Sequence, residues 1–220
     1  LRHAISTNEA NNNKIKRILI TSSITGEGKS YIASNLAKSY ESIGKRVVLV
    51  DFDLHNSSLK DQFNKQYELG VSDFLSQETE VSISEILHSI PARNQLSIIA
   101  AGSQHEDPSR LIENEDRVNE LLSQLEDQFD VIILDSAPMV EMSDAYLLSQ
   151  YCDITLFVVK HDYSPKKLIQ LLDINNEVMP LNNPFIVFNG VKTRGYLKSN
   201  YGYGYGYKMA YRREAKYASL

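Results

Sequence analysis

Six short apolar runs punctuate the chain: Ile18–Thr21, Val47–Asp51, Leu96–Ala100, Val131–Asp135, Ile154–Val159 and Phe185–Asn189. Each is continuous rather than alternating and rich in β-branched residues, the pattern of strands buried on both faces of a parallel sheet. Segments of helical period separate them. Lys29–Ile43 places Ile32, Leu36, Tyr40 and Ile43 on one face and stops at Gly44, a C-terminal signal. Asp116–Gln128 carries Val118, Leu121, Leu122 and Leu125, and Ser143–Gln150 and Ser164–Asn175 supply two more helices, the second with Pro165 in its first turn. This alternation predicts an α/β fold, a doubly wound and mainly parallel sheet with ligands at the carboxyl ends of its strands. With 220 residues, a single domain of substantial core is expected over residues 1–191, followed by a flexible tail over 192–220.

The first strand leads into Ser23-Ile24-Thr25-Gly26-Glu27-Gly28-Lys29-Ser30, after which the helical pattern begins. A strand that turns through glycines into a helix opening with Lys-Ser is the layout of a phosphate-binding P-loop. Gly26 and Gly28 let the backbone approach a polyphosphate, and N–H groups at the start of the helix point at it with the dipole favouring negative charge. Lys29 would reach the β- and γ-phosphates and the Ser30 hydroxyl would bind Mg²⁺. Thr25, Gly26, Glu27, Gly28, Lys29, Ser30 and Tyr31 are therefore the candidate nucleotide-binding residues, with ATP or ADP as ligand. Ser23 stands where the first glycine of such a loop is usual. The plain alternative is a glycine turn with no ligand.

Carboxylates fall where such a site needs them. Val47–Val50 runs into Asp51-Phe52-Asp53, and Val131–Leu134 runs into Asp135. Strand ends in this architecture converge on the edge that holds the P-loop, so all three acids can face Mg²⁺ and the γ-phosphate. An octahedral oxygen site with several retained waters is what Mg²⁺ asks for. Taken singly, each aspartate is equally well read as a turn or helix-capping residue.

Composition narrows the chemistry. Cys152 is the only cysteine, which excludes an internal disulfide and a thiolate metal cluster. The histidines (His3, His55, His88, His105 and His161) lack paired ligand spacing, so zinc is not expected. No apolar run reaches membrane-spanning length, and no signal peptide opens the sequence, which predicts a cytoplasmic location.

The net charge of −5 hides an asymmetry. Residues 192–220 carry seven Lys or Arg against Glu214 alone, +6, which leaves −11 on the rest of the chain. The same segment reads Tyr-Gly-Tyr-Gly-Tyr-Gly-Tyr over 201–207; with Tyr196, Tyr211 and Tyr217 it holds seven of the thirteen tyrosines in the last twenty-five residues. Glycine at every second position makes a core strand improbable for it. Many phenols on a basic leash suit phosphorylation, each phosphate adding about −1.5 to −2 charge. Stacking on single-stranded nucleic acid, or a low-complexity end with no task, are the other readings.

Together these segments resemble the bacterial tyrosine kinases (BY-kinases) of capsular and extracellular polysaccharide synthesis and export, over nearly the whole chain. Thr21–Ser30 is similar to the family's Walker A segment, with Thr25 where proline is frequent. Val47–His55 is similar to its Walker A′ motif, with His55 in place of a frequent Arg, and Val131–Pro138 to its Walker B. Asp107–Leu111, Ser143-Asp144-Ala145 and Phe188-Asn189-Gly190 are similar to three further segments. The resemblance implies a P-loop NTPase fold of the MinD/ParA type and an ATP-dependent kinase that phosphorylates its own terminal tyrosines. It implies Lys29, Asp51, Asp53 and Asp135 as catalytic residues, Asp51 as the base, Ser30, Asp53 and Asp135 around Mg²⁺, and Asn189 near the adenine. The implied acceptors are Tyr196, Tyr201, Tyr203, Tyr205, Tyr207, Tyr211 and Tyr217, modified in trans by a neighbour in a ring-like homo-oligomer. Leu1-Arg2 is similar to the end of a Glu-x-x-Arg-x-x-Arg oligomerisation helix. Also implied are a transmembrane adaptor or polysaccharide co-polymerase segment, a cognate tyrosine phosphatase, and a place at the cytoplasmic face of the bacterial inner membrane. No nucleic acid partner is expected.

Two rival readings differ in class. A MinD/ParA-type ATPase switch shares the fold and the aspartates but carries a second lysine early in its loop; positions 22–24 here are Ser-Ser-Ile. An ATP-gated scaffold with a nucleic-acid or membrane binding tail is permitted by the tail's charge, while the acidic body argues against an extended nucleic-acid face.

Overall fold

The computed structural model describes residues 1–9, 15–57, 67–76, 80–91, 93–140, 142–169 and 180–192. The chain divides into Leu1–Asn189 and Gly190–Leu220, and of the second unit residues 190–192 are described. The tyrosines from Tyr196 onward lie outside the described residues, as does the predicted helix beyond Ile169.

Among the described residues seven strands form one sheet: β1 (Arg17–Ser22), β2 (Val47–Phe52), β3 (His88–Ile90), β4 (Arg93–Ile99), β5 (Val131–Ser136), β6 (Ile154–Lys160) and β7 (Pro184–Asn189). Their order across it is β3-β4-β2-β5-β1-β6-β7. Every neighbouring pair is parallel except β3 and β4. The helices are α1 (Arg2–Glu9), α2 (Lys29–Glu41), α3 (Val71–Leu75), α4 (Ile83–Ile86), α5 (Pro108–Ile112), α6 (Glu115–Gln128) and α7 (Asp144–Ser149). A further helical turn opens at Lys166.

Alternate residues of the central strands enter two separate cores, which is why the runs are continuously apolar. Leu19, Val48, Val50, Ile132 and Leu134 pack with Val118, Leu121, Leu122 and Leu125 of α6 and with Ala145 and Leu148 of α7. Ile18, Ile20, Val47, Leu49, Val131 and Ile133 pack on the other face with Ile5 of α1 and Ala33, Leu36, Ala37 and Tyr40 of α2. α6 is fixed at its start by Asn114, whose side chain accepts from the Arg117 N–H, and by Glu115 and Asp116 in the first turn, where the dipole favours acids. Each of its four buried aliphatics contributes about 1.5–3 kcal/mol by leaving water.

All six strands expected from the apolar runs form, with no end moved by more than three residues. α2 departs from expectation at its end. It stops at Glu41, and the Gly44 N–H donates to the Glu41 carbonyl at 2.9 Å. Ile43 therefore leaves the helical phase and is 52% exposed, and the buried face runs through Ala33, Leu36, Ala37 and Tyr40. The edge strand β3 and the helices α3, α4 and α5 have three to five residues, too few for a period to register in sequence.

β5 lies between β1 and β2, and β1 lies between β5 and β6. The chain thus winds to one side of β1 and returns to the other, and the crevice at such a switch point opens at the carboxyl ends of the strands. Ile133→Ala, in the middle of the central strand with no exposed surface, should lower unfolding free energy by about 2–5 kcal/mol in a urea titration.

Candidate functional site

β1 ends at Ser22 and α2 begins at Lys29, so residues 23–28 form the loop at the crevice. Gly26 and Gly28 have φ of +88° and +100°, a backbone region strained for any L side chain. Space is closed as well. A Cβ at Gly28 would lie 2.3 Å from Nδ2 of Asn189, and one at Gly26 would lie 2.7 Å from Oη of Tyr163. Lys29 turns inward, 7% exposed, and its Nζ stands 3.9 Å from Asp53 Oδ2.

The three sequence-predicted carboxylates come together. Asp51 and Asp135 are direct partners in the parallel register of β2 and β5, and Asp53 is the first residue past the end of β2. Asp51 accepts from the Asp53 N–H at 3.1 Å and from the Ser57 hydroxyl at 2.5 Å; Asp53 accepts from the Asn56 N–H at 3.0 Å. Burial pushes the Asp51 carboxyl well above the usual carboxylate range, and the Asp135 charge adds to the rise. Burial likewise raises Asp53, against the opposing pull of Lys29. Asp135 is raised to about 7, again by burial first, with Ser30 and Lys29 pulling it down.

Asp135 supplies the test of whether a cation fits. Both of its oxygens are buried, and neither has a donor in hydrogen-bond geometry among the described residues, although Ser30 is near enough to lower its pKa. A buried carboxylate in this condition is costly unless it is protonated or meets a cation. No three His, Cys, Asp or Glu side chains among the described residues can enclose a metal by themselves. The donor set is instead one or two carboxylates with a hydroxyl, leaving positions for water and phosphate oxygens, and this is what Mg²⁺ takes in nucleotide sites. The residues fit Mg²⁺.

The surrounding contacts reassign some side chains. Glu27 is fully buried and turned away from the crevice: it accepts from the Ile24 N–H at 2.9 Å and from the Ser164 hydroxyl. Only its backbone faces a ligand-binding role. Tyr31 is 63% exposed on the first turn of α2. Asn189, at the end of β7, donates to the Glu27 carbonyl at 2.9 Å, which sets it against the loop. Lys160 and Tyr163, at the end of β6, donate at 2.9 Å to the carbonyls of Gly26 and Thr25. Neither was expected; the only signal in the sequence is that β6 ends in Lys160 where β1's neighbour must pass the loop.

His55 forms a second unexpected cluster. Its Nε2 lies 3.1 Å from Asp144 and 3.2 Å from Ser109, and Ser109 donates to Asp144 at 2.7 Å. Asp144 is fully buried at the first turn of α7. The three residues tie the segment after β2, which carries Asp51 and Asp53, to the starts of α5 and α7.

The buried carboxylates give a pH prediction for the chain in chelator. Because Asp135 holds its proton more tightly folded (about 7) than an ordinary carboxylate does (3.8), the folded state binds the extra proton. Stability should therefore fall as pH rises from about 4 to about 7. Asp135→Asn should flatten that slope in urea titrations across the window; an unchanged slope would contradict it.

Comparisons with known proteins agree with this geometry. Residues 15–187 match the family described as an AAA domain. This fold and family carry nucleotide binding. The chain is 28% identical over 202 residues to a putative tyrosine-protein kinase EpsB of Ralstonia solanacearum, covering 91% of this chain and 26% of that protein. It thus spans about a quarter of the length of that relative. It is 30% identical over 172 residues to the tyrosine-protein kinase CpsD of a serotype 4 Streptococcus pneumoniae, covering 76% of this chain and 73% of the relative. The kinase domain of Escherichia coli tyrosine kinase ETK superposes with a TM-score of 0.79 over 94% of this chain and 80% of that one; at 24% identity it speaks for the fold. The chain belongs to the AAA domain family and to the bacterial tyrosine-protein kinases.

Proposed function

We propose that this chain is the catalytic domain of a protein-tyrosine kinase that transfers the γ-phosphoryl group of Mg·ATP to tyrosine hydroxyls. The observation that carries the reading is the carboxylate edge, Asp51 in register with Asp135 and Lys29 reaching Asp53, directly beside the P-loop. Phosphoryl transfer has a loose transition state, so catalysis is mostly positioning and charge neutralisation. In this reading Lys29 and the Gly26–Ser30 amides hold the phosphates, and Ser30, Asp53 and Asp135 hold Mg²⁺ directly or through water. The bound Mg²⁺ neutralises charge that develops on the phosphate oxygens.

A tyrosine hydroxyl is protonated at neutral pH, with a pKa of about 10. Asp51 orients it and takes its proton as the phenolic oxygen bonds to phosphorus and the bond to ADP breaks. Burial raises the proton affinity of Asp51, which favours this acceptance. Asn189 borders the loop where the family pattern expects the base of the nucleotide.

The acceptors we propose are Tyr196, Tyr201, Tyr203, Tyr205, Tyr207, Tyr211 and Tyr217. Their basic segment is drawn to the −11 body of a neighbouring subunit, and tethering substitutes for substrate affinity. Four or more phosphates would add about −6 to −8 charge and reverse that attraction. Polysaccharide synthesis or export as the regulated process, a transmembrane adaptor, a tyrosine phosphatase and a place at the inner membrane follow from the family resemblance. Among the described residues no helix is long and apolar enough to cross a membrane.

Incubation with Mg·ATP should yield phosphotyrosine on tail peptides by mass spectrometry. Lys29→Met should abolish it with the circular dichroism spectrum unchanged, and Asp51→Asn should lower the rate with little change in nucleotide affinity. Hydrolysis of ATP with no phosphotyrosine would instead mark an ATPase switch. Mixing Lys29→Met with an active chain lacking residues 196–220 decides the route: label on the inactive chain's tail means transfer between subunits, and its absence means transfer within one chain.

A further inference from the structure

Three consecutive carbonyls of the P-loop are each held by a side chain from outside it. Tyr163 Oη donates to Thr25 O, Lys160 Nζ to Gly26 O and Asn189 Nδ2 to Glu27 O, all at 2.9 Å. These donors come from the ends of β6 and β7, the strands on the far side of β1 from the carboxylates. Lys160 Nζ also stands 4.7 Å from the centre of the Tyr163 ring, and Ser164 bonds the buried Glu27 carboxylate. The loop is thus gripped along one flank at four successive points.

Peptide geometry gives the grip a consequence. In a planar trans peptide the N–H of the next residue points opposite to the carbonyl. Holding the carbonyls of residues 25, 26 and 27 toward β6 and β7 turns the N–H groups of Gly26, Glu27 and Gly28 the other way. No backbone carbonyl among the described residues accepts from those three N–H groups. Left-handed φ at Gly26 and at Gly28, with Glu27 between them, is the alternation that makes successive amides converge into a concave anion site. The two glycines are also where Tyr163 and Asn189 close in, so a side chain at either would push the grip away as well as strain the backbone.

We propose that Lys160, Tyr163 and Asn189 are positioning residues that hold the P-loop amides in their phosphate-binding arrangement. Through the loop they act on the polyphosphate. The inference rests on the reading of this loop as the ATP site, and it gives Asn189 a task in addition to any contact with adenine. It also explains why Lys160 is directed at a carbonyl and not at Asp53 or Asp135: it orients the loop while Lys29 meets the phosphates.

The test is to titrate Mg·ATP and, separately, magnesium tripolyphosphate, which has no base or sugar, into the wild-type chain and into Tyr163→Phe, Lys160→Met and Asn189→Ala. Tyr163→Phe and Lys160→Met should weaken both ligands by the same factor, about fivefold for the loss of one neutral hydrogen bond and about tenfold or more for the lysine, and Asn189→Ala should weaken tripolyphosphate about fivefold and ATP by at least as much. In Tyr163→Phe and Lys160→Met, KM for ATP should rise while kcat at saturating ATP is kept, since the held loop is the same once ligand is bound. The thermal midpoint without ligand identifies any variant that fails to fold; Tyr163→Phe removes one oxygen from a half-exposed side chain and keeps the test alive if Asn189→Ala is lost. Tripolyphosphate affinity unchanged in all three variants, with or without a drop for ATP, would overturn the inference. Wild-type chain that binds neither ligand would overturn the reading of the site itself, a distinct result.

Discussion

Three carboxylates are buried within one edge of this sheet, two of them on neighbouring strands at the same register, Asp51 beside Asp135. That placement is imposed by the strands. β2 and β5 are apolar on both faces and fully covered, so the first polar residue at each carboxyl end cannot retreat to solvent without unpairing the strand. Like charges in such surroundings raise each other's proton affinity, and burial raises it further. The arrangement costs stability in the bare protein and becomes favourable when a cation and an anion of matching size enter together. Lys29, 3.9 Å from Asp53, is a single positive charge against three carboxylates and does not neutralise the cluster by itself.

Phosphate binding is set up from the opposite flank. The P-loop stands between the acidic edge on the β5 side of β1 and the donors at the ends of β6 and β7. In the proposed reading one side would provide the charges that hold Mg²⁺, and the other would turn the backbone so that its N–H groups meet phosphate. Behind both, His55, Ser109 and Asp144 fasten the segment that follows Asp53 to α5 and α7. A nucleoside triphosphate with its metal, the proposed ligand, would use all of these at once.

Much of this was legible in the chain. Continuous apolar runs gave the strands, because burial on both faces leaves no alternation to mistake for a surface strand. Gly26, Gly28, Lys29 and Ser30 are adjacent in sequence and so were visible as a unit, and Asp51, Asp53 and Asp135 were visible because each follows a strand. Lys160, Tyr163 and Ser164 were not. They reach the loop across 134 to 138 residues of intervening chain, and nothing local distinguishes them from a polar strand end. In sequence His55 stands out only as a departure from a frequent Arg, and its partners Ser109 and Asp144 lie in segments to which the family resemblance assigns no role. The partners of the Glu27 carboxylate, the Ile24 N–H and the Ser164 hydroxyl, were not legible, because Ser164 is remote in sequence.

In the proposed reading the acidic edge serves a metal brought by the nucleotide. It is tested most directly by calorimetric titration of ADP with and without Mg²⁺, in the wild-type chain and in Asp135→Asn. In the wild type, Mg²⁺ should strengthen nucleotide binding at pH 8, above the value of about 7 for Asp135. In Asp135→Asn that Mg²⁺ dependence should shrink while binding in chelator is kept or improved, since a buried negative charge near the phosphates is gone. Equal Mg²⁺ dependence in both proteins would contradict the claim.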